Sequence, residues 1–268
     1  MTELSDAGAP GAAPRPEVAI LDTSDLRHAL AQGFRDWRMA PGLGFAFAAV
    51  YVAGGLFLAF VAGGFVFQTL ILALGFPLFA PFAAVGLYET SRRIEAGRPL
   101  DLYQIFGVVW DERARQIPWL GAIIVIYFLF YSFLAHMIFA LFMGRSAMTN
   151  VSTSWEAFIT VDGLTMIAVQ LVVGAALGFV LFALTAFSLP LLLHKEVDFV
   201  TAMILSFEAV TRNLGVMLLW AALIGVSVVA AMAPAFLGLF VALPVLGHAS
   251  WHLYRRALIH PEDAAPPA

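Results

Sequence analysis

Four side chains that could ligate a metal lie near the ends of apolar segments: Glu89, His194, His248 and His252. His248 and His252 are four residues apart, so both rings project from one face of a helix. Three imidazoles and a carboxylate suit zinc, iron or another metal that favours nitrogen ligands, and a pair of imidazoles could hold a haem. The alternative is structural, because the helix dipole also stabilises histidines at helix C-termini.

Each of these residues follows one of three prolines by four or eight residues: Pro81, Pro190 and Pro244. His194 and His248 have the shorter spacing, whereas Glu89 and His252 have the longer one. If the three segments pack around a pseudo-threefold axis, the four side chains converge at one depth. They are the candidate metal site. We predict no catalytic residues and no resident cofactor.

The composition indicates that lipid rather than water surrounds most of the chain. Of its 268 residues, 62% are hydrophobic and 12% are charged, against about 45–50% apolar and about 25% charged in soluble domains. These values exclude a soluble enzyme. The net charge of −4 gives no basic surface for nucleic acid, and the absence of cysteine excludes thiolate catalysis, iron–sulfur clusters and disulfides.

Six stretches are long and apolar enough to cross a membrane as helices of about 20 residues. They cover residues 41–67, 68–90, 118–143, 164–193, 215–232 and 234–254. The first two meet at Gln68 and the last two near Pro234, which predicts tight hairpins. His136 and Gln170 lie within the third and fourth stretches, where an interhelical hydrogen bond could satisfy each of them.

Thirteen of the fourteen basic residues precede an odd-numbered span or follow the sixth. Short segments rich in Lys and Arg stay in the cytoplasm, so we predict that both termini are cytoplasmic. Seven arginines flank the span ends and are predicted to contact anionic headgroups of the inner leaflet: Arg38, Arg92, Arg93, Arg115, Arg212, Arg255 and Arg256.

A short segment with apolar residues at helical spacing precedes each odd-numbered span. Three residues stand where helix N-caps are expected: Ser24, Asp101 and Asp198. Two carboxylates lie four residues before an arginine and predict ion pairs, Asp111 with Arg115 and Glu208 with Arg212. The repeating unit is therefore an amphipathic helix in the membrane plane followed by a helical hairpin.

Three segments carry a family resemblance: 83–93 (AAVGLYETSRR), 189–197 (LPLLLHKEV) and 243–256 (LPVLGHASWHLYRR). They resemble a bacterial family of predicted integral membrane proteins, domain-of-unknown-function family 2189. The likeness extends over nearly all of residues 25–258, and the last segment is its most specific part. It implies an inner-membrane protein without an established activity. Some members carry labels that suggest cytochrome c oxidase subunit I, but six spans without a central histidine-rich copper and haem site depart from that subunit.

We predict an all-α polytopic membrane protein with six transmembrane helices in three repeats. Residues 1–23 form a disordered cytoplasmic tail, residues 24–258 form one membrane domain with repeats at 24–93, 100–195 and 198–256, and residues 259–268 form a short tail. The leading functional hypothesis is a non-enzymatic scaffold or accessory protein that contacts lipid, a membrane complex or a second copy of itself. A small-molecule or lipid transporter is the alternative, and a haem-binding or metal-binding membrane protein is the third hypothesis.

Overall fold

The computed structural model describes residues 15–60, 66–147 and 158–261, with side chains for all of these except residues 58–80 and 145–147. Ten helices lie within these ranges: α1 (Thr23–Met39), α2 (Pro41–Phe60), α3 (Val66–Glu95), α4 (Leu102–Asp111), α5 (Ile117–Ala147), α6 (Val161–Thr185), α7 (Ser188–His194), α8 (Phe199–Arg212), α9 (Leu214–Met232) and α10 (Leu239–Ala257). A 3₁₀ turn, Glu112–Ala114, joins α4 to α5. The all-α class is confirmed.

A shorter helix followed by two long apolar stretches occurs three times along the chain. The shorter helices are α1, α4 and α8, and the long stretches are α2 with α3, α5 with α6 and α7, and α9 with α10. Where the predicted spans lie within the described residues, their backbone is helical except for turns at 186–187 and 234–238. A helix is the conformation that satisfies backbone hydrogen bonds in lipid. The second hairpin member begins at Val66, two residues before the junction predicted at Gln68.

Three of the described helical stretches are long and apolar enough to cross a membrane: Ile117–Gly144, Val161–His194 and Leu214–Met232. A fourth is possible if α1 and α2, which are bent by 102° at Ala40, form one broken span. This is fewer than the six predicted. In α10 the two histidines and two arginines of its C-terminal half lower the hydropathy that its apolar residues supply.

Two of the three predicted helix N-caps are confirmed. The side chains of Asp101 and Asp198 cap α4 and α8 as predicted. The prediction for Ser24 is wrong, because α1 begins earlier and Asp22 caps it, with Asp25 completing a capping box.

The two ion pairs predicted at four-residue spacing differ in outcome. Glu208 and Arg212 are paired at 2.8 Å, as predicted. Arg115 pairs instead with Glu112 at 2.6 Å, because the 3₁₀ turn that follows α4 brings Glu112 rather than Asp111 beside the guanidinium.

A two-stranded clasp joins the two flanking segments of the helical bundle. Strand β1 (Glu17–Val18) pairs antiparallel with β2 (Leu258–Ile259), so Val18 lies opposite Leu258. Asn213 accepts a hydrogen bond from the Leu21 amide at 2.7 Å and donates one to the Ala19 carbonyl at 2.9 Å. Part of the segment predicted to be a disordered tail is therefore ordered here, whereas residues 1–14 and 262–268 lie outside the described residues.

The buried core lies mainly in the segments that follow the three prolines. Residues 187–193, around Pro190, are all buried, and burial is nearly as complete from Pro81 to Arg93 and from Pro244 to Tyr254. In contrast, the most apolar 18-residue windows of the three spanning stretches have only 6%, 6% and 11% of their residues buried inside the protein. The chain therefore packs tightly in the segments that follow the three prolines and leaves the apolar windows of its spanning stretches largely uncovered.

Candidate functional site

Several buried polar side chains meet where α1, the end of α3 and the end of α10 pack together. We call this group the polar core: Asp36, Glu89, Ser91, Arg93, His248 and His252. Buried polar groups are costly unless they are hydrogen-bonded, so their partners determine what the group does.

Asp36 anchors α1 to α10. Its Oδ2 lies 2.7 Å from Nε2 of His252, and the carboxylate is fully buried. Burial alone would raise the pKa of Asp36, but the hydrogen bond and the charge of His252, together with the Ser91 hydroxyl, hold that pKa below its ordinary value of 3.8. Asp36 is therefore an ionised acceptor at neutral pH.

Close packing of the two helices brings these groups together. A Cβ atom on Gly33 would lie 2.5 Å from the Val245 carbonyl oxygen and 2.6 Å from the Ala249 nitrogen. Only glycine allows the backbones of α1 and α10 to approach this closely.

Ser91 joins α3 to the same place. Its Oγ lies 2.8 Å from Nδ1 of His248, and both side chains are fully buried. The other ring nitrogen of His248, Nε2, has no hydrogen-bond partner among the described residues, and the same holds for the indole nitrogen of Trp37. A serine, a histidine and a carboxylate thus come together, but they are sealed inside the protein and line neither of the two cavities described below.

Glu89 is the acceptor for two consecutive arginines. Its Oε2 is 2.6 Å from Arg92, and its Oε1 is 2.7 Å from Nε of Arg93. Arg93 also donates to the Gln104 side chain at 2.7 Å and to the Pro99 carbonyl at 3.1 Å. This chain of contacts fixes the loop between α3 and α4 and satisfies a buried guanidinium.

His194 belongs to an aromatic group beside the polar core. Its Nδ1 lies 2.8 Å from the hydroxyl of Tyr254, which also lies 3.1 Å from Nε2 of His260. Trp251 packs edge-on against His194 and donates from its indole to Glu95 at 3.0 Å. The end of α7 is in this way tied to the end of α10.

The four candidate metal ligands therefore lie at one end of the molecule but have separate partners. Glu89 binds arginines, His194 contacts tyrosine, His248 contacts serine and His252 contacts aspartate. Among the described residues, no group of three or more His, Cys, Asp or Glu side chains has the geometry to hold a metal ion. The contacts of these four side chains within the protein therefore do not form a metal-binding donor set.

Six of the seven arginines predicted to contact headgroups make ion pairs within the protein: Arg92, Arg93, Arg115, Arg212, Arg255 and Arg256. Arg93 is the most enclosed, with 11% of its side chain exposed, and faces the protein interior. Arg212 is 55% exposed and can still reach solvent or lipid. Arg38 makes no ion pair among the described residues, and its guanidinium lies 6.0 Å from the centre of the Phe34 ring.

A groove of about 580 Å³ runs between α5 and α6 and has an almost entirely apolar lining. Two of its polar side chains are bonded within the hairpin: Gln170 donates to the Ala135 carbonyl at 3.2 Å, and Tyr127 donates to the Leu177 carbonyl at 2.7 Å. The Tyr131 side chain also lines the groove. The interhelical bond expected for Gln170 is confirmed. His136 instead makes its contact with its own helix, at the Ser132 carbonyl.

Sequence reasoning missed Asp36 and Ser91 as members of the polar core. Asp36 lies on the same face of α1 as the buried Leu26, Ala29 and Gly33. A lone carboxylate on the packed face of an amphipathic helix is the signal that could have identified it. Ser91 had no such signal, because a serine near a helix end usually bonds to its own backbone.

Comparison with known proteins supports the membrane assignment. Residues 69–194 match a family described as "Predicted integral membrane protein (DUF2189)". The match confirms the resemblance over 83–93 and as far as residue 194 in the second segment, whereas the third segment lies beyond it. No curated protein and no solved structure matches the chain. The family match and the apolar helices together describe a predicted integral membrane protein of unknown function.

Proposed function

We propose that this protein is a non-enzymatic scaffold or accessory protein of the bacterial inner membrane. The polar core holds the chain together, and the apolar helices are surfaces for lipid and for a partner complex. The observation that carries the proposal is the low burial of the apolar 18-residue windows in the three spanning stretches, where 6%, 6% and 11% of the residues are buried inside the protein. Helices with so few internal neighbours have most of their packing available to other molecules.

The polar groups favour a structural role over chemistry. Inside the polar core, Ser91 is paired with His248, Asp36 with His252 and Glu89 with Arg93. His194 contacts Tyr254 beside it. In the groove of the α5–α6 hairpin, the amide of Gln170 and the hydroxyl of Tyr127 are bonded to backbone carbonyls. A transport site would need polar groups that turn toward a substrate.

The proposal includes six spans in three repeats, with α1, α4 and α8 in the membrane plane. The 102° bend between α1 and α2 supports it, because a helix perpendicular to a spanning helix lies along the surface. The short helices also expose large apolar side chains: Phe34 and Met39 on α1, Leu102, Phe106 and Trp110 on α4, and Val200, Ile204 and Phe207 on α8. Such side chains are typical of helices at the lipid interface.

Cytoplasmic termini are proposed from the charge distribution and supported by the clasp, which puts Val18 beside Leu258. The natural absence of cysteine allows single-cysteine labelling. We expect Val161→Cys to react with an impermeant maleimide in intact cells and Glu196→Cys to react only after the inner membrane is opened. The reverse pattern would refute this orientation.

Partner contact is tested by placing a photo-crosslinking amino acid at Phe133, which is 69% exposed on α5. Phe187, which is 1% exposed, is the matched control. We expect one protein species to be crosslinked in near-equal amount at position 133 in native membranes, and none at position 187.

The same probe is placed on the other two apolar spans, at Leu171 and Val226. If only lipid is labelled at all three exposed positions, the accessory role is refuted. A purified, reconstituted protein that moves a solute across vesicles would also overturn the proposal and favour the transporter.

A further inference from the structure

We propose that Arg35 and Arg38, together with Phe34 and Met39, form a binding site for the phosphate group of an anionic phospholipid. These residues and Ala31 line a surface pocket of about 350 Å³ at the C-terminal end of α1. The site deepens the proposed function, on which it rests, because it assigns lipid contact to one place on the molecule.

The charges in this pocket are only partly neutralised by the protein. Arg38 has no ion pair among the described residues, in contrast to the other six arginines predicted to contact headgroups. Arg35 donates long hydrogen bonds from Nε and Nη2 to Oδ1 of Asp36, at 3.4 and 3.3 Å, and that carboxylate also faces His252 at 2.7 Å. The Arg35 side chain is nevertheless 54% exposed, so its remaining donors are accessible. No acidic residue lines the pocket. Two guanidinium groups one helical turn apart are therefore available to an anion.

The geometry favours a phosphate ester. A guanidinium offers planar, paired donors that match two oxygens of a phosphate, and it is more weakly hydrated than an ammonium. The Phe34 ring, 6.0 Å from the Arg38 guanidinium, limits the positions that this side chain can occupy. Preorganised donors lose less entropy when a ligand binds.

The position in the chain favours a lipid over a free anion. Pro41 begins the apolar helix α2 three residues after Arg38, and α2 leaves α1 at 102°. The apolar side chains of Phe34 and Met39 are 46% and 56% exposed beside the two guanidinium groups. A headgroup phosphate with the first carbons of its acyl chains would contact both the charged and the apolar part of this pocket.

The test is native mass spectrometry of the full-length protein in mild detergent, titrated with phosphatidylglycerol and with phosphatidylcholine of the same acyl chains. Arg35→Ala/Arg38→Ala is compared with Arg27→Ala/Arg98→Ala, which removes the same charge from exposed arginines outside the pocket. We expect the pocket variant to bind phosphatidylglycerol about 25-fold more weakly, at about fivefold for each arginine near the membrane surface. The control pair should retain wild-type affinity.

Three results would overturn the site. They are an equal loss in both double variants, equal affinity of the wild type for the two lipids, and displacement of phosphatidylglycerol by equimolar inorganic phosphate, which would indicate a free-anion site. If the alanine pair does not fold, Arg35→Lys/Arg38→Lys keeps the charge but lacks the planar donors. A weaker affinity of that variant than of the control supports the site, and wild-type affinity refutes it.

This measurement is independent of the crosslinking at Phe133. Loss of partner crosslinks with retained lipid selectivity would refute the accessory role alone, whereas the opposite pattern would refute the lipid site alone.

Discussion

The segments after Pro81, Pro190 and Pro244 and the α5–α6 hairpin are both made of apolar helix, yet their surroundings differ. The post-proline segments are largely buried and contain most of the polar core, whereas the hairpin has few buried residues in its apolar windows, and its Tyr127 and Gln170 donate to backbone carbonyls of the hairpin itself. In lipid, apolar surface alone does not drive helices together, so close packing and buried polar contacts must do so. The contacts that determine how the helices pack are therefore concentrated in the post-proline segments rather than in the hairpin.

The largest effect is expected at Glu89, where one carboxylate neutralises two arginines. Glu89→Ala leaves Arg93 buried without its ion pair, and breaking a buried pair costs about 3–5 kcal/mol. The free energy of unfolding in detergent micelles is the measurement. Glu208→Ala, which removes partly exposed ion pairs with Arg15 and Arg212, is the control and should cost about 0–1 kcal/mol. Equal losses would mean that the polar core is no more important than the surface.

A matched pair of leucines tests the same contrast with apolar residues. Leu191 is completely buried in α7, and Leu191→Ala should cost about 2–5 kcal/mol because it leaves a cavity. Leu171 is 68% exposed on α6, so Leu171→Ala should change the unfolding free energy by less than about 0.5 kcal/mol in the same detergent. A large loss at Leu171 would show that the hairpin is packed within the monomer.

A pair of glycines gives the smallest expected effect. Gly33→Ala puts a methyl group against the backbone of α10 and should destabilise the protein by about 1–3 kcal/mol. Gly178→Ala, in the hairpin groove, meets no atom within 4 Å and should be neutral or slightly stabilising. Thermal melts of both variants would check this, and a neutral Gly33→Ala would contradict the close approach of α1 and α10.

Hydrophobic runs and cap residues predicted the positions of the helices, because both depend on residues close together in the chain. Asp101 and Asp198 cap their helices as expected, and most of the described residues in the predicted spans are helical. The matched spacing after the prolines stays a prediction that the histidines and Glu89 converge at one depth.

The partners of those residues could not be predicted in the same way. Asp36 is more than 200 positions from His252, and Ser91 is more than 150 positions from His248. Spacing within one helix identifies a shared face but does not reveal which distant side chain meets it. The metal hypothesis arose because the sequence shows four side chains that could ligate a metal but does not show which distant residues they contact.

The clasp between β1 and β2 has a consequence for biosynthesis. Val18 leaves the ribosome early, but its partner Leu258 is made after every helix of the bundle. Closing so long a loop is entropically unfavourable until the intervening helices are in place. The strand pair therefore forms last, after the helices have packed. A chain truncated before residue 258 would keep its helices but lose the pairing between β1 and β2.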